Sequence, residues 1–284
     1  MPMRRGYARA RLPAPSDGEA NRGMAMVVDG KTVVVTGVGP GLGGEVARVV
    51  LRDGGNAVLA ARTEAKLEQI AAELDPTGER VAWRPTDINS ADDCRALMDL
   101  ATQRFGGVDG IVQVAAYDTA MGGLDETTDD TWRDVLATNV TGTMHVVSAA
   151  AQAMEGRGGS VVLIGSQSSV LPAVMFQLAY ASSKGALTAA MFHLAKELGP
   201  KKIRVNQVVP TWMWGPPVQG YVQYASQTRD ISEEAVIAEI TERMPLGEIP
   251  ADDDVAEAAV WLCSDRARMI TGQTIYVNAG EYMT

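Results

Sequence analysis

The sequence predicts an α/β protein built on a doubly wound parallel sheet. Three observations carry that expectation. Apolar, β-branched runs recur without polar alternation, as in strands buried on both faces. Between them lie stretches with apolar residues at i, i+3, i+4 and i+7, so strand and helix alternate along the chain. The first run, Lys31-Thr32-Val33-Val34-Val35-Thr36, leads straight into Gly37-Val38-Gly39-Pro40-Gly41-Leu42-Gly43-Gly44, a glycine-rich turn that opens a helix.

Composition bounds the function. The chain has 284 residues, 46% of them hydrophobic, and 29 glycines, an ordinary globular balance rich in turns. Length alone is compatible with one large domain or two small ones. A net charge of −10 without a basic patch argues against a nucleic-acid partner. Cys94 and Cys263 both fall in apolar helical patterns, which suits reduced, buried thiols. No apolar run approaches the roughly 20 residues that span a bilayer, so a soluble, cytoplasmic protein is expected. Residues 1–28 read as a flexible tail: Arg4, Arg5, Arg9, Arg11 and Arg22 outweigh Asp17 and Glu19, with no hydrophobic segment of an export signal. Met24 or Met26 is an alternative start, and an arm packed on a neighbouring subunit is the rival reading. Residues 29–284 are expected to form a single domain.

The glycine turn sits between strand and helix, the context in which glycines serve a dinucleotide: they permit the tight turn and close approach to a pyrophosphate, and the helix N-terminus offers N–H groups and a positive dipole end. The alternative is a plain tight turn. The second strand, Asn56–Ala61, ends on Ala60 and Ala61 and is followed by Arg62. A carboxylate there would bind the ribose hydroxyls of NAD; an arginine instead pairs with the 2′-phosphate of NADP. Arg62 as the start of a solvated helix is the plainer alternative. A helix is expected over 63–74, with Leu67, Ile70, Ala71 and Leu74 on one face. A short third strand, Val81-Ala82-Trp83, follows, and Ser90 caps the next helix ahead of Asp92 and Asp93.

The fourth strand is expected at 110–114, a long helix at 131–152 carrying a buried Asn139, a fifth strand at 161–164, a helix at 179–198, a sixth strand at 203–209, a helix at 251–262 with Asp252, Asp253 and Asp254 as helix-start charge, and a last strand at Thr274–Val277. A buried amide such as Asn139 needs partners, as a structural tie or as part of a site. On the 179–198 helix, Tyr180 and Lys184 stand one turn apart on one face. An ammonium beside a phenol is expected to lower a pKa of about 10 and fit the phenol for proton transfer. Ser166, just past the fifth strand, is placed to hydrogen-bond a reacting oxygen.

With these motifs in order, the sequence resembles the short-chain dehydrogenase/reductase family over residues 29–280. The motifs are Thr36-Gly37-x-x-x-Gly41-x-Gly43, Asp87-Ile88, Asn139-Val140-Thr141-Gly142, Tyr180-Ala181-Ser182-Ser183-Lys184, Arg204-Val205-Asn206 and Thr271-Gly272-Gln273. The resemblance implies a Rossmann-like fold, a nicotinamide cofactor and a dimer or homotetramer formed through the 131–152 and 179–198 helices. It implies that Tyr180 is the acid/base, that Lys184 lowers its pKa and binds the nicotinamide ribose, that Ser166 polarises the substrate oxygen, and that Asn139 holds a relay water. Gly37, Gly41, Leu42 and Gly43 would hold the pyrophosphate. Asp87 and Ile88 would meet adenine, with Ala115 at the cofactor floor and Pro210 near the nicotinamide.

Four departures stand out. The family's Asn-Asn-Ala-Gly is Gln113-Val114-Ala115-Ala116, which is expected to remove ties between strands. Its Pro-Gly is Pro210-Thr211, and its Asp-Gly-Gly is Asn278-Ala279-Gly280. Ser166 precedes Tyr180 by fourteen residues, one more than the family spacing. Gln167 cannot play the serine's part, so a one-residue insertion after Ser166 is expected, with Ser168 as the fallback for the serine's role. A substrate loop is expected at 211–245, irregular over 211–231, with Trp212 and Trp214 joining Tyr117, Met175 and Phe176 in an apolar pocket; oligomer contact or ordinary packing is the alternative. His145 and His193 lack clustered acids or cysteines, so no metal site is expected. The leading function is hydride transfer between NADP(H), with NAD(H) possible, and a lipophilic secondary alcohol or ketone as small-molecule substrate. The alternatives are a non-catalytic nicotinamide sensor, and the same fold performing epimerisation or C=C reduction.

Overall fold

A computed structural model describes residues 26–283; the tail expected over residues 1–28 lies outside the described residues up to position 25. Seven strands form one all-parallel sheet in the order β3-β2-β1-β4-β5-β6-β7. They are β1 (Thr32–Thr36), β2 (Asn56–Ala61), β3 (Val81–Pro85), β4 (Gly110–Gln113), β5 (Gly159–Ile164), β6 (Ile203–Pro210) and β7 (Thr274–Val277). The connecting helices begin with α1 (Leu42–Arg52), α2 (Glu64–Leu74) and α3 (Ala91–Phe105). Thus the doubly wound arrangement expected from the sequence is present.

Alternation along each strand feeds two cores. Val33 and Val35 of β1 pack with Val46, Val50 and Leu67 and with Val255, Ala259 and Leu262 of a later helix, α9 (Asp252–Cys263). Val34 faces the opposite layer, with Leu97 and Met98 of α3, Val146 of α5 (Thr143–Ala153) and Met191 of α6 (Leu178–Leu198). Every residue of β1 is buried, which is why its sequence shows no polar alternation. Strand order reverses between β1 and β4, and the crevice above their carboxyl ends is the place where such sheets bind ligands.

Two elements differ from the sequence expectation. The helix expected over 131–152 is three pieces: α4 (Asp129–Leu136), a π-helical turn (Ala137–Gly142), and α5. A wider turn of this kind is common at functional sites, and here it contains Asn139. Its apolar spacing continues that of its neighbours, so periodicity does not reveal it. The region expected to be irregular over 211–231 is mostly helix: α7 (Pro216–Arg229) and then α8 (Glu233–Thr241). Pro216 and Pro217 suggest a break, yet proline is accommodated in a helix's first turn, where its missing N–H has no partner to lose. Val222, Ala225 and Val236 give this helix pair a small core.

Candidate functional site

Ser166, Tyr180 and Lys184 meet at the carboxyl end of β5. That strand stops at Ile164, and Gly165 lets it lie tight against β6: a Cβ there would stand 2.5 Å from Nε2 of Gln207. Ser166 caps a single 3-10 turn, Gln167–Ser169. Its Oγ accepts from the Ser168 amide at 3.3 Å and lies 2.8 Å from Ser168 Oγ. The Ser166 hydroxyl lies near enough to the Tyr180 phenol to favour its ionised form. Ser166 and Ser168 thus stand side by side in one short turn at the end of β5.

Lys184 is buried, with Nζ 5.6 Å from the Tyr180 ring centroid and donating at 2.7 Å to the Ile164 carbonyl. The expected acidification of the phenol is not what this arrangement gives. Burial pushes Tyr180 up to about 12, with the Ser166 hydrogen bond working against it and Asp118 adding to it. Burial also brings Lys184 down to about 8, opposed by Asp118. The physical reason is desolvation: removing both groups from water disfavours phenolate and ammonium alike, and the ammonium spends its hydrogen bond on a strand-end carbonyl.

Asn139 is buried and saturated. Its Oδ1 accepts from the Tyr117 amide at 2.7 Å, and its Nδ2 donates to the Tyr117 carbonyl at 3.1 Å and to Ser183 Oγ at 2.9 Å. The side chain is thus a tie between the π-helical turn, the segment after β4 and α6, one turn from Tyr180.

At the glycine turn the steric demand is specific. Gly37, at φ 71°, abuts the segment after β4: a Cβ would stand 2.5 Å from the Ala115 nitrogen. One on Gly43 would stand 2.3 Å from the Gly37 carbonyl oxygen. At Gly39 nothing lies within 4 Å. Gly41 caps α1 without a side chain, and Leu42 begins the helix. These features fit a bound pyrophosphate: a compact turn, open space above Gly39, and a helix start directed at the crevice. Beside it stands Asp252, whose Oδ2 would be 3.5 Å from a Cβ on Gly41. Burial, then Glu45 and Asp253, raises its pKa. The sequence reading of Asp252 as helix-start charge missed this proximity.

The expected loss of ties at Gln113 is overturned. Thr36 Oγ1 donates to Gln113 Oε1, and Gln113 Nε2 donates to the Ala115 carbonyl at 3.1 Å and Thr143 Oγ1 at 3.3 Å. Thr36 Oγ1 also accepts from the Val114 and Ala115 amides. One longer amide joins β1, β4 and α5.

Arg62 is exposed at the end of β2 and makes no hydrogen bond or ion pair among the described residues. Asp87 is exposed and accepts from the Asn89 amide, while Ile88 is buried beneath Gly142. Pro210 closes β6. Of the aromatic residues expected to share a pocket, Trp212 and Trp214 both lie against the α7–α8 core, and Tyr117 packs elsewhere. Trp214 packs into the α7–α8 core, Trp212 meets Tyr221 of that core at a tilt with centroids 5.1 Å apart, and Tyr117 packs with Trp132, Val135 and Ala179. Phe176 is 74% exposed. His145 places Nδ1 3.2 Å from the Ile88 carbonyl oxygen. No group of residues able to hold a metal occurs among the described residues.

Residues 37–281 match the sequence profile of the family described as enoyl-(acyl carrier protein) reductase. An oxidoreductase of Methylorubrum extorquens is 32% identical over 257 residues, covering 89% of this chain and 98% of that one. Among solved structures, a short-chain dehydrogenase/reductase described as a glucose/ribitol dehydrogenase from Brucella melitensis superposes with a TM-score of 0.82 at 30% identity, covering 92% of this chain and 100% of the other. A variant of actinorhodin polyketide ketoreductase with NADPH gives 0.80 at 30% identity, covering 88% and 97%.

Proposed function

The chain belongs to the short-chain dehydrogenase/reductase family of oxidoreductases, and on that premise we propose that it reduces a ketone to a secondary alcohol, or runs the reverse reaction, with NADP(H) preferred over NAD(H). The observation that carries this reading is the meeting of Ser166 and Tyr180 at the end of β5, with Lys184 buried behind the ring and held at the strand end. Two hydroxyls that reach each other can converge on one substrate oxygen, one holding it and one exchanging its proton. A phenol raised to about 12 is protonated at neutral pH, so Tyr180 is ready to donate to an alkoxide forming on the substrate. Lys184, near 8 and hydrogen-bonded at the strand end, is suited to return that proton. The bound nicotinamide would supply or accept the hydride.

The cofactor preference rests on Arg62, unpaired at a strand end that carries no acid. Arg62→Asp is expected to lower the NADPH over NADH preference by at least about tenfold, since it replaces a charge-assisted contact by repulsion; an unchanged ratio would reduce Arg62 to a helix-start residue. The lipophilic substrate class rests on an apolar rim. Gly122 pairs with Gln177, and its amide donates to the Phe176 carbonyl at 2.8 Å. The two segments so joined expose Met121, Leu124, Val174, Phe176 and Leu178 just before Tyr180, and exposed apolar patches of this kind mark binding surfaces. Turnover of NADPH and NADH with cyclohexanone, 2-octanone and free sugars tests the reading. Reduction of sugars alone would remove the lipophilic class, and conversion of an enone to its saturated ketone would favour C=C reduction.

A homo-oligomer through α4, α5 and α6 is supported by Phe192, 55% exposed on α6, and by exposed Leu136 on α4; sedimentation showing a monomer would overturn it. Cys94 and Cys263, buried and free, suit a reducing compartment such as the cytoplasm. Among the described residues no helix is long and apolar enough to cross a membrane.

A further inference from the structure

Three of the departures from the family's motifs lie far apart in sequence and meet in space. Gln167 follows Ser166 in the stretch that is one residue longer than the family spacing, Thr211 follows Pro210, and Asn278 follows the last residue of β7. Gln167 and Asn278 are 4% and 5% exposed. Gln167 Nε2 donates to Glu281 Oε2 at 2.7 Å and to Thr211 Oγ1 at 3.3 Å. Its Oε1 accepts from Asn278 Nδ2 at 2.7 Å. Thr211 Oγ1 donates to the same Glu281 oxygen. Asn278 also donates to the Tyr282 carbonyl at 2.8 Å and accepts from the Gly280 amide at 3.1 Å. The C-terminal turn is held in addition to the stretch after α8: the Leu246 amide donates to the Ala279 carbonyl at 3.2 Å, and Gly280, at φ 86°, leaves a would-be Cβ only 3.0 Å from Pro245.

We propose that Gln167 is a positioning residue: its amide clamps the Ser166 turn to Thr211, where the 211–245 region begins, and to the C-terminal segment 278–282, and so sets where Ser166 stands relative to Tyr180. Both ends of the amide are used, and one partner is a carboxylate, which strengthens the bond. A buried polar network is stable only when complete, so losing its hub releases all three strands' ends together. The proposal rests on the carbonyl-reductase reading for its kinetic consequence and on the hydrogen bonds alone for its structural one.

Two readouts keep those apart. Gln167→Leu, similar in size and without the amide, is expected to lower kcat for 2-octanone about tenfold, the scale of a small misplacement of a reacting group, while KM for NADPH stays within about twofold. Gln167→Glu sets a second carboxylate against Glu281 and is expected to lose a similar factor, more at about pH 8 than about pH 6, where one carboxylate more readily takes a proton. The exchanged pair, Gln167→Glu with Glu281→Gln, restores donor opposite acceptor and is expected to return kcat to near the parent value. Hydrogen exchange in residues 211–215 and 278–282 should quicken in both single variants and slow again in the exchanged pair. A kcat for Gln167→Leu equal to the parent's, or an exchanged pair no better than Gln167→Glu, overturns the proposal. If the parent turns over no ketone the carbonyl reading fails, and unchanged hydrogen exchange then overturns the clamp independently. Should Gln167→Leu not fold, Glu281→Gln, at a half-exposed position, must still quicken exchange in 211–215.

Discussion

The glycine turn that follows β1 is built of backbone; the ends of β5, β6 and β7 are built of side chains. In the first half, Gly37 and Gly43 are placed where a single added carbon would strike a neighbouring main-chain atom, and the helix start of α1 presents peptide groups to the crevice. In the second half, Ser166, Tyr180 and Lys184 are joined by hydroxyl, ring and ammonium contacts, and Gln167, Thr211, Asn278 and Glu281 by amide, hydroxyl and carboxylate. The contrast teaches that one half is suited to hold a ligand by shape and the other to act on it by chemistry, so the two should fail differently.

The widest separation is expected from Tyr180→Phe. Removing the hydroxyl leaves the glycine half untouched, so NADPH binding, followed by tryptophan fluorescence, should be retained. Turnover should fall by about 10²–10⁴, the range for a positioned acid. Turnover near the parent rate would break the comparison at its base. On the other side, Gly43→Ala should cost roughly 3 kcal/mol of stability by overpacking, and weaken NADPH binding. Gly39→Ala, with open space around it, should stay within about 0.5 kcal/mol of the parent in chemical denaturation. Equal effects at the two glycines would mean the turn's geometry is looser than the contacts indicate.

The backbone half was the more legible in the sequence, and the reason is physical. A strand buried on both faces, a glycine turn and a helix start each impose local constraints, so Val33, Val34 and Val35 followed by Gly37 announce themselves. The side-chain half depends on which distant groups meet. Helical spacing places Tyr180 and Lys184 together, but the sequence does not show how dry their surroundings are, and burial reverses the direction that spacing alone gives for Tyr180. Gln167 gives no local sign of its role, because its partners lie 44 and 114 residues away. Gln113 sits between: a departure that looked like lost hydrogen bonds supplies them, because a longer amide spans from Thr36 to Thr143. Gln113→Leu should therefore destabilise the fold by about 2 kcal/mol, the cost of leaving buried hydroxyls without their partner. A melt unchanged within about 0.5 kcal/mol would restore the view that the site tolerates the loss.

The pH dependence of stability is the most direct measure of how dry the catalytic half is. An unfolded lysine keeps its proton up to its ordinary value of 10.5, whereas buried Lys184 releases it near 8. Between those values the unfolded chain binds more protons than the folded one, so the parent gains stability as pH rises through that window. Lys184→Met has no such proton to lose. Its stability relative to the parent, measured by denaturant unfolding, should be highest below about pH 8 and should decline steadily toward about pH 10.5. Tyr180 does not blur the comparison in that range, because its folded-state value lies near 12 and its unfolded one near 10, so its contribution begins only at the upper edge. A difference flat across the window would mean that water reaches Lys184 freely, and that the hydrogen bond to Ile164, rather than desolvation, sets the state of the ammonium.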